Sequence, residues 1–361
     1  MKIIKVSLKK RSYEIVIGSQ TLRLLGKYIK KLNLGSDAYV ITNAAIKMRH
    51  GRLLSSALKE AGFSVKFKLV ADSEKSKSIE TAAAIIQDLT LYDKKRKIFI
   101  VAFGGGVIGD LAGFVASIYK RGIPYIQVPT TLLAQVDSSI GGKTAVDLAE
   151  AKNMVGAFYQ PRLVLSDVGL LETLGLRQIR AGLAEVIKYG LIKDKRLFNY
   201  LEKNYPKIIR LEQGALEFVV WRSSYIKARI VEQDEKEERG LRTILNFGHT
   251  LGHAIESAGL YRRYNHGEAV AIGMVLACAI SRRLRLTDEA TCTKIEGLIK
   301  AVGLPVRIKN ICPDKIISAH YRDKKFIGPK NRFVLLKNIG RAAVRENIPL
   351  PVIKAVLKER I

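Results

Sequence analysis

Three histidines and a glutamate have the residue types of a metal site. His249 and His253 are four residues apart and would share one face of a helix, and His266 opens the next helical pattern. Glu185 and Lys188 share a helical face earlier in the chain. A carboxylate with two or three imidazoles suits Zn²⁺, which keeps three protein ligands and one open position in catalytic sites. The clustering favours a metal over histidines that are hydrogen-bonded within a helical core, and the spacing alone points to His249 and His253 together.

A glycine-rich loop is the second candidate for chemistry. Residues 104–109 read Gly-Gly-Gly-Val-Ile-Gly and satisfy G-x-G-x-x-G between the apolar run 98–103 and a helical pattern. Backbone N–H groups in such a turn can approach a pyrophosphate, and the helix N-terminus attracts its negative charge. A turn that serves only strand–helix packing is the alternative. The acidic residue expected about 20 positions further on in a Rossmann unit is missing, so we predict a nucleotide-binding sheet of a different kind.

A polar, basic segment over 128–144 is a candidate anion site. It combines threonines, serines and adjacent glycines with Asp137 and Lys143, and Lys152 and Asn153 follow shortly afterwards. Its Gly-Gly-Lys-Thr string invites comparison with a P-loop, but the first glycine of that motif would fall at Asp137, so the pattern fails. The hydroxyl groups and cations instead favour binding of a small anion, and an exposed polar loop is the alternative.

The elements that must position these residues change character near residue 175. Before it, short apolar runs alternate with helical patterns, which is typical of a parallel α/β sheet. The chain therefore predicts an α/β N-terminal Rossmann-like nucleotide-binding domain over 1–175 and a mostly α-helical C-terminal domain over 176–361. The predicted strands are 3–8 and 13–17 (a hairpin), 38–42, 65–70, 98–103, 125–128 and 163–166, and the predicted helices are 79–91, 177–192, 217–231, 244–257, 268–284 and 291–302.

The composition excludes several classes of protein. The chain has 361 residues, 48% of them apolar, which excludes a disordered polymer and suggests two domains. Its net charge is +29, but the basic residues are spread over the whole length without a nucleic-acid motif, so we expect no nucleic-acid partner. Three cysteines without a C-x-x-C pair indicate a reducing compartment. The longest apolar run, 269–280, is shorter than the about 20 residues of a spanning helix, so we expect a cytoplasmic protein without a membrane partner.

Taken in order, these motifs resemble those of the 3-dehydroquinate synthases, within the sugar phosphate cyclase superfamily. The resemblance covers most of the chain, from about residue 72 to 325. It implies an NAD-dependent enzyme with one divalent metal ion (Zn or Co) and a sugar phosphate substrate, acting in the shikimate pathway as a homodimer. In that reaction 3-deoxy-D-arabino-heptulosonate 7-phosphate becomes 3-dehydroquinate and phosphate through transient oxidation at C5, phosphate β-elimination, re-reduction and intramolecular aldol closure.

The resemblance also implies roles for individual residues. The metal ligands would be Glu185, His249 and His266, and the catalytic residues would be Lys143, Lys188, Asp137, His253 and Glu238. Counting back from Gly240 favours Glu238 over Glu237 for the last of these. NAD would contact Asn43, Asp72, Glu74, Lys77, Gly105, Gly106, Val107, Ile108, Gly109, Asp110, Thr130, Thr131, Ser138, Lys152, Leu170, Leu171, Glu172 and Thr173. The substrate would contact Arg121 from the neighbouring subunit, Asp137, Lys143, Asn153, Lys188, Lys227, Arg242, Asn246, His253 and one of Lys324 and Lys325.

Three alternatives stay open at this point. Another sugar phosphate cyclase, such as a 2-deoxy-scyllo-inosose synthase, would use the same scaffold on a substrate without a carboxylate. Arg242, Lys227 and Asn246 favour the dehydroquinate reaction because they are suited to hold that carboxylate. A metal-dependent polyol dehydrogenase would release NADH, and a basic nucleic-acid-binding protein would show salt-dependent binding to unrelated DNA.

Overall fold

The chain divides into two compact units in a computed structural model that describes residues 1–94, 96–148, 152–322 and 331–361. The first unit comprises residues 1–174 with 216–236, and the second comprises 175–215 with 237–361. Residues 216–236 of the predicted helical domain therefore belong to the first unit. Among the described residues, no helix has both the length and the apolar character needed to cross a bilayer.

The first unit is built on a mainly parallel sheet. Within the described residues, seven strands follow the order β1-β2-β9-β6-β5-β3-β4, and β1 alone runs antiparallel, paired with β2. The predicted strands are all present, and a short antiparallel hairpin of β7 and β8 was not anticipated. The strands are β1 (Lys2–Val6), β2 (Tyr13–Gly18), β3 (Asp37–Thr42), β4 (Ser64–Leu69), β5 (Ile98–Gly104), β6 (Tyr125–Pro129), β7 (Lys143–Val146), β8 (Val155–Phe158) and β9 (Leu163–Asp167).

Helices cover both faces of this sheet. Helices α1 (Leu25–Leu32) and α2 (Ala44–Lys59) contribute to one apolar core, while α3 (Ile79–Tyr92) and α4 (Gly106–Ile118) contribute to the core on the other face. The chain thus leaves β3 toward one face and β5 toward the other. Neighbouring strands that diverge in this way open a crevice at their carboxyl ends, which is where ligands bind in open α/β sheets.

The second unit is mostly helical, as the sequence predicts. One predicted helix differs: residues 244–257 do not form a continuous helix, because a 3-10 turn over Leu241–Asn246 is followed by Gly248, whose φ of +78° ends that turn. The β10–β11 hairpin was also not predicted. The elements after β9 are α5 (Leu176–Lys193), α6 (Lys195–Ile209), α7 (Gln213–Gln233, largely in the first unit), α8 (His249–Ala258), α9 (His266–Arg283), α10 (Glu289–Ala301), α11 (Pro313–Arg322), β10 (Arg332–Asn338), β11 (Arg341–Glu346) and α12 (Leu350–Lys358).

Candidate functional site

Three helices of the second unit bring Glu185, His249 and His266 together. Oε1 of Glu185, on α5, lies 3.4 Å from Nε2 of His249, the first residue of α8. The same oxygen lies 3.3 Å from Nε2 of His266, the first residue of α9. These three side chains are the set that the resemblance implies, whereas spacing within one helix had paired His249 with His253. Their donor atoms could hold one metal ion.

Local sequence determines where α9 begins and how closely it approaches its neighbours. Asn265 and Glu268 form a capping box, with Asn265 Oδ1 accepting from the Glu268 N–H and Glu268 Oε2 accepting from the Asn265 N–H, both at 2.9 Å. The box makes His266 the first helical residue. A Cβ on Gly267 would lie 2.3 Å from Cα of Ala181, so only glycine lets α9 rest this closely on α5.

The chemistry of the donors fits a divalent metal. A tetrahedral ion with bonds of about 2.0–2.1 Å separates its donor atoms by about 3.3–3.4 Å, and the two separations from Glu185 Oε1 have these values. The Glu185 side chain is completely buried, and Lys188 forms an ion pair with its Oε2. Neither carboxylate oxygen has a hydrogen-bond partner of acceptable geometry among the described residues. The ion pair with Lys188 offsets part of the cost of burying this carboxylate, and a cation bound to Oε1 would give the other oxygen a partner.

The remaining ring nitrogens face hydrogen-bond acceptors. His249 Nδ1 lies 3.1 Å from the backbone oxygen of Phe247, and His266 Nδ1 lies 3.5 Å from Oε2 of Glu256 on α8. Burial lowers the pKa of His249. In His266 burial has the same tendency, but the neighbouring carboxylates of Glu185 and Glu256 prevail and raise the pKa to about 10. The sequence analysis did not identify Glu256, although its position three residues after His253 and seven after His249 places it on their helical face.

In the first unit, the glycine-rich loop has the predicted strand–loop–helix context. Strand β5 ends at Gly104, Gly105 caps the helix, and α4 begins at Gly106. Thr131 lies beside Gly105 and Ser138 lies beside Gly106. The N-terminus of α4 is therefore lined by hydroxyl groups, an arrangement suited to a phosphate group.

The predicted NAD contacts follow the carboxyl ends of parallel strands. Because these ends meet at one edge of the sheet, residues far apart in sequence are collected there. Lys152 is the one predicted NAD contact that does not follow a strand of the parallel sheet, since it lies between β7 and β8. Its Nζ binds Oε1 of Glu74 at 2.9 Å. The groups by strand are Asn43 after β3; Asp72, Glu74 and Lys77 after β4; Gly105, Gly106, Val107, Ile108, Gly109 and Asp110 after β5; Thr130, Thr131 and Ser138 after β6; and Leu170, Leu171, Glu172 and Thr173 after β9.

Two predicted NAD residues bind each other and a predicted substrate residue. Lys77 is almost fully buried, and its Nζ donates to Oδ2 of Asp110 at 2.6 Å and to Oδ1 of Asn153. Although burial opposes it, the charge of Asp110 raises the pKa of Lys77 above its usual value. The Asn153 backbone N–H also donates to Oδ1 of Asp147 at 2.7 Å. These contacts hold Asn153 beside the strand-end residues.

A π-helical turn presents Asp137. The turn spans Ala134–Ser138, and such turns are frequent at functional sites. Nζ of Lys227, a nearly buried residue on α7, donates to Oδ1 of Asp137 at 2.7 Å and to its backbone oxygen at 2.8 Å. The structure thus joins two predicted substrate residues that are 90 positions apart. Lys143 is exposed at the first position of β7.

Arg242 is almost completely buried in the second unit. Oε1 of Glu237 lies 3.4 Å from Arg242 Nε. Glu237 has a φ of +61°, so the backbone turns at this residue. Glu238, which counting favours as the catalytic acid, stays a prediction. Asn246 ends the 3-10 turn that follows Arg242. Lys324 and Lys325 lie outside the described residues.

His253 lies among the other histidines of the second unit, and Arg121 lies in the first unit. His253 has its ring centroid 5.3 Å from that of His249 and 6.0 Å from that of His266. Arg121 belongs to the first unit and is exposed, with Lys120, Arg121 and Gly122 at φ values of +49°, +65° and +121°. The structure thus places His253 beside the candidate metal donors and Arg121 on a surface turn.

Sequence comparisons match both units of the chain. A family model described as 3-dehydroquinate synthase N-terminal matches residues 67–181, and one described as 3-dehydroquinate synthase C-terminal matches residues 182–326. The 3-dehydroquinate synthase of Thermoanaerobacter pseudethanolicus is 44% identical over 357 residues, which cover 98% of this chain and 100% of that protein.

Two solved structures share the fold over the full chain. The 2-epi-5-epi-valiolone synthase of Streptomyces hygroscopicus subsp. jinggangensis, with NAD⁺ and Zn²⁺ bound, gives a TM-score of 0.89 at 29% identity, covering 98% of this chain and 99% of that one. A 2-deoxy-scyllo-inosose synthase complexed with carbaglucose-6-phosphate, NAD⁺ and Co²⁺ gives 0.87 at 26% identity, covering 100% of both chains. The predicted fold class is confirmed.

Proposed function

Because the chain belongs to the 3-dehydroquinate synthase family, we propose that it converts 3-deoxy-D-arabino-heptulosonate 7-phosphate to 3-dehydroquinate and phosphate. The observation that carries the proposal is the meeting of one carboxylate and two imidazoles, from three helices, around a space that fits one cation. The glycine-rich loop at the carboxyl edge of the sheet supports NAD as the second cofactor.

The residues divide between the two cofactors by unit. Glu185, His249 and His266 would hold one divalent metal ion, Zn²⁺ or Co²⁺, and the strand-end groups of the first unit would hold NAD. When bound, these cofactors supply a reversible oxidation of the substrate and Lewis-acid stabilisation of its oxygens. Lys188, in its ion pair with Glu185, keeps a positive charge next to the donor set.

Other side chains would orient the two anionic groups of the substrate. We assign Lys143, Asn153 and His253 to the phosphate, since a lysine, an amide and an imidazole can all bind phosphate oxygens. We assign Lys227 and Arg242 to the carboxylate. A phosphate held in this way is positioned to accept the C6 proton as it leaves, so the residues contribute mainly by orientation, which can supply about 7–11 kcal/mol.

A homodimer in the cytoplasm is part of the same proposal, with Arg121 reaching the neighbouring subunit's site. Arg121 is exposed, and its turn has three successive residues with positive φ. Non-glycine residues in this conformation cost free energy and are concentrated at functional positions. The strained, exposed turn supports a role for Arg121 outside its own subunit.

The proposal is tested by incubating the purified protein with NAD⁺, Zn²⁺ and the heptulosonate phosphate. We expect phosphate and 3-dehydroquinate to form in equal amounts while absorbance at 340 nm shows no net NADH. Glucose 6-phosphate, which lacks the carboxylate, serves as the matched control substrate and should release no phosphate. Phosphate release from glucose 6-phosphate alone would favour a related cyclase, and NADH accumulation with glycerol would favour a polyol dehydrogenase.

A further inference from the structure

Glu256 is a buried carboxylate to which the proposed reaction assigns no role. It lies on α8, its side chain is 11% exposed, and Oε2 lies 3.5 Å from Nδ1 of His266. No other ion pair to this carboxylate is found within the described residues. Since buried carboxylates require a partner, the contact with His266 accounts for its position.

The two ring nitrogens of His266 have different neighbours. Nε2 faces Oε1 of Glu185 at 3.3 Å, and Nδ1 faces Glu256. A histidine binds a metal through a nitrogen lone pair, so its other nitrogen must carry the proton and needs an acceptor. Glu256 is the acceptor on that side of the ring.

His249 shows the same pattern with a different acceptor. Its Nε2 lies 3.4 Å from Glu185 Oε1, and its Nδ1 lies 3.1 Å from the Phe247 backbone oxygen. Both rings therefore present Nε2 to one carboxylate oxygen and Nδ1 to an acceptor. The acceptor of His249 is main chain and persists in any variant, whereas the acceptor of His266 is a side chain that can be replaced.

We infer that Glu256 is a positioning residue for His266: when a divalent metal binds through Nε2, Glu256 accepts the proton that stays on Nδ1 and fixes the orientation of the ring. The inference rests on the metal site of the proposed function and deepens it. Partners of this kind change metal affinity by about 10–100-fold. Glu256 acts through His266 and need not touch the substrate.

The first experiment measures Zn²⁺ affinity by competition with a chromophoric chelator, without substrate. Glu256→Leu, whose side chain has no acceptor, should bind Zn²⁺ about 10–100-fold more weakly than the wild type, and its Co²⁺ absorption bands should shift. Glu268→Gln is the control. Glu268 lies at the same end of α9 as His266, but its carboxylate binds Arg177 and Asn265 instead of a ring nitrogen. This variant should lower thermal stability while its Zn²⁺ affinity stays within about twofold of wild type.

Three outcomes separate this inference from the proposed function. Equal Zn²⁺ affinity in Glu256→Leu and wild type would overturn the role of Glu256 and leave the metal site standing. A wild type that binds no metal would overturn the metal site itself. Binding of two ions per chain would also overturn the inference. His253, Glu256 and His266 form a second possible donor group, and an ion bound there would replace the proton on Nδ1 of His266.

A second measurement avoids any folding defect of the variant. ¹⁵N spectra of the wild-type protein with labelled histidines, recorded with Zn²⁺ bound, report which ring nitrogen carries the proton. We expect Nδ1 of His266 to be protonated and Nε2 to show the shift of a metal ligand. The reverse assignment would refute the inference.

Discussion

Replacing Gly267 by alanine tests how α5 and α9 bring the metal donors together. The new Cβ would lie 2.3 Å from both Cα and the carbonyl oxygen of Ala181, where ordinary contacts begin at 3.4 Å. The two helices would have to separate by about 1 Å. Gly267 follows the proposed ligand His266, and Ala181 lies one turn before the proposed ligand Glu185.

The size of the effect follows from this displacement. Metal–ligand distances tolerate a deviation of about 0.2 Å, so a shift of about 1 Å must be reversed before an ion can bind. Overpacking of this kind costs about 1–3 kcal/mol, which corresponds to a loss of about 5- to 150-fold in metal affinity. We expect Gly267→Ala to show that loss in a Zn²⁺ competition assay, together with a lower melting temperature.

Gly297→Ala provides the matched control. Gly297 lies within α10, and a Cβ there would meet nothing within 4 Å. Alanine at such a helical position should stabilise the protein by about 0.5–1 kcal/mol and leave metal affinity unchanged. If Gly267→Ala were as stable as this control and bound Zn²⁺ as tightly as wild type, the close approach of the helices would not determine the donor geometry.

Four further predictions concern other parts of the site. Lys143→Ala should reduce turnover by about 10²–10³-fold with an unchanged melting temperature, because the side chain is exposed; near-normal turnover would refute its role. Lys77→Met should weaken NAD⁺ binding in calorimetry and lower the free energy of unfolding in urea by about 1–3 kcal/mol, since it deprives Asp110 of its ion pair; unchanged values of both would count against the network. Although burial opposes it, Arg177 lowers the pKa of Glu268, so the stability due to this pair is present above the ordinary value of 4.5 and is lost as pH falls through the lower folded-state pKa. The difference in melting temperature between wild type and Glu268→Gln should therefore shrink as the pH falls below the ordinary value of 4.5, and a difference that grows with acid would contradict the assignment. A chelator should abolish turnover and added Zn²⁺ or Co²⁺ should restore it, whereas full activity without detectable metal would be incompatible with the mechanism.

The sequence predicts most of the elements because apolar periodicity determines them. The strands of the first unit and the helices over 177–192, 268–284 and 291–302 are found within a few residues of their predicted bounds. The predicted helix over 244–257 was wrong in its first turn, because the left-handed backbone of Gly248 is a conformational choice that periodicity does not encode. Strands β10 and β11, with seven and six residues, were missed because they stand among helical patterns.

Residue spacing predicts the candidate site less well than it predicts the helices and strands. Spacing relates residues on one helix and therefore paired His249 with His253, whereas the donor set combines three helices whose approach depends on Gly267. The resemblance supplied Glu185 and His266. Glu256 was not predicted, because its contact with His266 depends on how α8 faces α9.

The central claim is that Glu185, His249 and His266 bind one common ion. The most direct measurement is an anomalous difference map from crystals of the protein grown with Co²⁺ and NAD⁺. The account predicts a single strong peak per subunit, about 2.0–2.2 Å from Glu185 Oε1 and from Nε2 of both histidines. A map with no peak between these three side chains, or with the ion bound to His253 in place of His266, would contradict it.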